Sequence, residues 1–106
     1  MEFQFNTANN ITGDDDVRAR VEASVRSRLG RISDSITRLE LHVTDENGPR
    51  GGVDKRAVLE GRPRGFDPIS VTHSAATVDA AAAGAADKLM KAFETQQGKR
   101  TNRKGH

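Results

Sequence analysis

Cysteine, tryptophan and tyrosine are missing altogether. With no thiol, neither a disulfide framework nor a thiolate-held metal is possible. The only aromatics are four phenylalanines, so gripping single strands by stacking bases on exposed rings is disfavoured. No apolar run approaches the ~20 residues that span a bilayer, and no signal peptide opens the chain. A soluble cytoplasmic protein with no membrane partner is expected. Also absent are a nucleophile elbow, a phosphate-binding glycine loop and a dinucleotide fingerprint. The histidines, His42, His73 and His106, are not spaced as metal ligands. No enzyme activity, cofactor, metal site or small-molecule substrate is expected.

What is present is one domain's worth of chain, 106 residues, with room for one modest core. The formal net charge is +2, while the pI is about 9.4 and the charges are segregated. Acids gather at Asp14 to Asp16 and at Asp45-Glu46. Bases gather between Arg18 and Arg31, at Lys55-Arg56, and from Lys99 onward. A local basic surface points to a polyanion more than the net charge does.

The hydrophobic periods give the element order. Glu2 to Asn6 alternates, with Phe3 and Phe5 on one side, as a half-buried strand does. Thr12 and Asp15 form a capping-box variant, and the acidic triplet suits the first turn of a helix. That helix runs from about Asp15 to Leu29 on a stripe of Val17, Val21, Val25 and Leu29, and Gly30 stops it. Ile36 to Thr44 alternates again, with Leu39, Leu41 and Val43 inward. Asp45 to Pro49 is a turn that Gly51-Gly52 extends into a mobile loop. Asp54 to Arg62 is a strand with Ala57, Leu59 and Gly61 toward the core. Ile69, Val71 and His73 mark the last strand. On the outward faces, Glu40 and Glu60 among Arg38, Arg56 and Arg62 suggest cross-strand ion pairs.

Thr77 to Glu94 is the most decided stretch, because alanine loses no side-chain entropy in a helix. Thr77 fits the N-cap and Asp79 the positive end of the dipole. Val78, Ala82, Ala85, Ala86, Leu89 and Phe93 share one face, and Lys88 and Lys91 one flank. Beyond it no apolar residue remains. Residues 96–106 are therefore expected to be a disordered basic tail, leaving 1–95 as the folded domain. The order strand, helix, three strands, helix predicts an α+β two-layer sandwich. It has a four-stranded mixed sheet with two helices side by side and parallel on one face. A right-handed crossover makes the first two strands parallel.

Arg20, Arg28 and Arg31 lie along one edge of the first helix. With Lys88 and Lys91 they are expected to form one wet basic surface. Phosphate contacts from Arg and Lys supply affinity without reading sequence, so shape-based recognition of folded RNA fits best.

Several segments carry a resemblance: the "NTANNI" exit from the first strand, "RLGRISDSITRLELHVTDENGP", "DKRAVLEGRPRG", "ISVTHSAATVDAA" and above all "GAADKLMKAF". In order and over nearly residues 1 to 95, these resemble the ribosome hibernation-promoting factor / ribosome-associated inhibitor A family. The resemblance implies a β-α-β-β-β-α fold similar to double-stranded-RNA-binding domains with an added first strand. It also implies binding to the small ribosomal subunit and its rRNA, blocking the channel for messenger and transfer RNA in stationary or stressed cells. Carried over by motif, the RNA-binding residues are Arg28 and Arg31 in "RLGR" and Lys88 and Lys91 in "DKLMK", with Lys55 and Arg56 in "DKR" weaker.

The chain departs from the family where Thr77-Val78 replace an aromatic near the start of the second helix. No second domain follows Glu94, so a short form is expected, a monomer off the ribosome that does not pair ribosomes by that route. Two other classes stay open from the residues alone. One is a general binder of structured RNA, and the other a protein-interaction regulator using the open sheet face.

Overall fold

The computed structural model describes residues 1–7, 15–45 and 55–104, with 99–104 as backbone only. The expected cap at Thr12, the acidic Asp14 and the Gly51-Gly52 loop lie outside the described residues. The elements are β1 (Glu2–Thr7), α1 (Asp15–Leu29), a 3-10 helix (Gly30–Ser35), β2 (Ile36–Asp45), β3 (Lys55–Pro63), β4 (Ile69–Ala75) and α2 (Val78–Lys104).

The sheet order is β1-β2-β3-β4. β1 runs parallel to β2, and the other two pairings are antiparallel. This is the mixed sheet expected from the crossover. The register places Leu41 between Phe5 and Leu59, and Leu39 between Phe3 and Gly61. These odd-numbered positions all face the helices because strand side chains alternate. Leu39, Leu41, Val43, Ala57 and Leu59 are buried there against Val21, Val25 and Leu29 of α1 and Ala82, Ala85, Ala86 and Leu89 of α2. Each fully buried Val or Leu contributes about 1.5–3 kcal/mol relative to exposure.

The far face of the sheet is polar. Arg38 stands opposite Arg62, and Glu40 opposite Glu60. The like charges are compensated along each strand: Arg38 Nη2 to Glu40 Oε1 is 2.7 Å, and Arg62 Nη2 to Glu60 Oε1 is 3.9 Å. Arg38 also reaches across to β1, 3.9 Å from Glu2 and 2.6 Å from Gln4 Oε1, so ion pairing among the described residues of this face runs both along strands and between β1 and β2.

Small residues set how α2 sits. Its backbone lies close over β3 and β4. Ala81, Ala82, Ala85 and Ala86 are all fully buried, so methyl groups form the seam. Two glycines complete it. A Cβ on Gly61 would lie 3.2 Å from Leu89 Cδ2, and one on Gly84 would overlap the His73 ring.

The local signals act where expected. Thr77 Oγ1 accepts from the Ala80 N–H at 3.1 Å and caps α2. Gly30 takes φ +55°, the left-handed conformation that ends α1. The chain then continues as a 3-10 helix to Ser35, an element the sequence reading left as a connection. The other difference lies at the C-terminal end. α2 is expected to end near Glu94, and its backbone stays helical to Lys104. Gln, Lys and Arg are good helix formers, and no proline interrupts them. Gln96 Nε2 also donates to the Asp67 carbonyl at 3.2 Å, tying this turn to the β3–β4 connection.

Candidate nucleic-acid interface

The two helices are parallel neighbours. Arg20 Nε bonds Asp79 at 3.1 Å, and Arg28 Nη1 bonds Asp87 at 2.9 Å and 3.2 Å. Both pairs join positions 59 apart in sequence. A constant offset means that the helices advance together, side by side. The arginine edge predicted for α1 is thus the edge that faces α2, as the spacing of Arg20 and Arg28 about two turns apart requires.

The seven expected binding residues fall into distinct places. Arg20 lies beside the start of α2, at Asp79, and Arg28 beside its middle, at Asp87. Arg31 is exposed in the 3-10 segment, just past the end of α1. Lys91 is exposed one turn beyond Asp87. Among the described residues, neither Arg31 nor Lys91 has a protein partner. Lys88 turns the other way, its Nζ donating to the Thr72 carbonyl on β4 at 2.8 Å. Asp87 and Lys88 are consecutive, so α2 itself separates the Arg28 side chain from the Lys88 side chain.

Lys55 and Arg56 stand apart from these. Lys55 starts β3 and pairs with Asp45 at the end of β2, 3.6 Å away, with the two side chains 21% and 10% exposed. β2 runs against the helices and β3 runs with them, so the end of the sheet where β2 stops and β3 starts lies by the helix N-termini, away from Arg31. Arg56 is exposed on the open sheet face, between Thr44 and Ser74.

Arg64 is a cation that sequence reasoning missed. Its backbone N–H donates to the Ser35 carbonyl at 2.8 Å. That bond fastens the β3–β4 turn to the end of the segment carrying Arg31, and the Arg64 side chain is exposed. In the sequence it reads only as a turn residue. Nothing local shows that the turn meets the exit of the first helix.

Guanidinium forks are held in place but half exposed, Arg28 at 45% and Asp87 at 57%. Exposed pairs of this kind contribute ~0–1 kcal/mol, so a phosphate can replace the carboxylate at little cost. Arg31, Arg64 and Lys91 add charge at the end where α1 stops and α2 continues.

No protein-family model matches the chain, and no curated protein matches it. Solved structures do. A ribosomal subunit interface protein from Coxiella burnetii superposes with a TM-score of 0.76 at 12% identity, covering 92% of this chain and 99% of that one. The two chains share one fold. The N-terminal domain of Thermus thermophilus Protein Y superposes with a TM-score of 0.66 at 22% identity, covering 86% of this chain and 93% of that one. Identities this low establish shared architecture: the four-stranded mixed sheet with two helices on one face.

Proposed function

We propose that this chain is a non-enzymatic, cytoplasmic ribosome-binding factor of the hibernation-promoting family. It docks as a monomer on the RNA of the small subunit and blocks translation by filling the messenger and transfer RNA channel. The observation that carries this reading is the end-to-end likeness to a ribosomal subunit interface protein, 99% of whose chain is covered. The cationic edge supports it independently. Arg20 and Arg28 line the α2-facing side of α1, with Arg31 exposed just past the end of α1 and Lys91 exposed on α2. Arg and Lys contacts to phosphate give affinity that falls steeply with salt.

The test is co-sedimentation with purified small ribosomal subunits over a salt series. Wild type pellets with subunits at low salt and is released as salt rises. Arg31→Glu with Lys91→Glu loses co-sedimentation while its melting curve stays put. If the double variant pellets like wild type, this end of the helix pair is not the docking site. Competition by a free duplex RNA separates a ribosome factor from a general RNA binder. A ribosome factor stays on the subunits when the duplex is present at equal concentration.

A further inference from the structure

The cations at the helix seam do not stand open. Asp79 and Asp87 occupy Arg20 and Arg28, and Asp87 holds Arg28 Nη1 through both carboxylate oxygens, at 3.2 Å and 2.9 Å. Asp79 likewise takes Arg20 Nε with both oxygens at 3.1 Å. The two carboxylates sit eight residues apart on α2, about 12 Å along the axis at 1.5 Å per residue. Each is a planar oxyanion presented to a guanidinium, the same chemistry a phosphate would offer.

We propose that Asp79 and Asp87 act as internal substitutes for RNA phosphate and thereby set the affinity of this face. This rests on the reading of the seam as an RNA-docking surface. In the free protein the carboxylates keep the two forks ordered and aimed along the seam. When RNA arrives, phosphates must take over Arg20 and Arg28 from carboxylates that stay attached beside them. Arg31 and Lys91, which have no such partner among the described residues, make the first contacts. A polyanion that presents only scattered phosphates gains little from the exchange. One that fixes two phosphates over the seam together displaces both carboxylates. Asp79 and Asp87 are thus selectivity residues that act by competition.

The experiment measures binding to purified small subunits across a potassium chloride series for wild type, Asp87→Asn, Asp79→Asn with Asp87→Asn, and Glu94→Gln. Glu94 is exposed on α2 and has no partner among the described residues. Its variant changes net charge by the same single unit as Asp87→Asn without releasing an arginine. The expected result is tighter binding for Asp87→Asn, with a log–log salt slope steeper by about 0.7–0.9 for the release of Arg28. The double variant is at least as steep, and Glu94→Gln keeps the wild-type slope. A wild-type slope in the double variant overturns the proposal, and so does equal steepening by Glu94→Gln. Both results leave the docking surface standing. Failure of every variant and of wild type to bind at the lowest salt overturns the docking surface, and this proposal with it.

Discussion

Gly84, in the second turn of α2, lies directly against the imidazole of His73 on β4. The ring occupies the volume that any Cβ at position 84 would need. A glycine inside an alanine-rich helix is normally a loss of about 1 kcal/mol against alanine. Here it lets the helix backbone close over a histidine.

Gly84→Ala is therefore expected to destabilise the protein by about 1–3 kcal/mol, against its helix propensity. Urea denaturation reads the change. His73→Ala in the same chain should recover most of the loss, because the two substitutions share one contact. Additive losses in the double variant would show that the ring is not the obstacle.

Leu89 is 1% exposed and fills the space that Gly61 leaves on β3. Leu89→Ala should cost about 2–5 kcal/mol. The loss should appear as a lower denaturant midpoint with the slope unchanged.

Lys88 and Lys91 are expected to differ. Lys88 is engaged with the Thr72 carbonyl on the β4 side of α2, while Lys91 has no partner among the described residues. Lys91→Glu should weaken small-subunit binding more than Lys88→Glu at the same salt. Amide exchange along β4 should quicken only in Lys88→Glu. Equal effects on binding would place both lysines on the docking surface.

Lys55→Gln should act on stability. Its pair with Asp45 is mostly shielded, intermediate between exposed pairs and buried ones, so a loss of about 1–2 kcal/mol is expected. Binding to small subunits should change little, because this end of the sheet is remote from Arg31. A large loss of binding with normal stability would extend the docking surface to the β2–β3 end.

The layer plan was legible in the sequence because every strand alternates and both helices carry a four-residue stripe. Leu39, Leu41 and Val43, or Val21, Val25 and Leu29, mark their buried sides without help from any other segment. The Thr77 cap and the Gly30 stop are equally local. What escaped notice depends on distant partners. Nothing near Gly84 announces His73, and nothing near Arg64 announces Ser35. The aspartates opposite Arg20 and Arg28 lie 59 residues away. Asp79 reads naturally as a dipole partner for its own helix, and Asp87 as a solvated flank. The helical wheel found the correct edge of α1 but could not say that the edge meets carboxylates. Lys88 and Lys91 share a flank of the wheel, which does not show the edge-strand carbonyl that Lys88 meets. The continuation of α2 past Glu94 leaves no hydrophobic period to read, because no apolar residue follows, although Gln, Lys and Arg sustain a helix well.

The equal stagger between the two helices makes their lengths interdependent. One residue inserted in α2 between Asp79 and Asp87 would turn everything downstream by about 100°. Asp87 would swing off Arg28, Leu89 out of its slot over Gly61, and Lys91 to a new bearing, all in a single event. Between those two aspartates the chain has no tolerance for insertion or deletion, so indels in functional variants should fall in the connections, never inside that span.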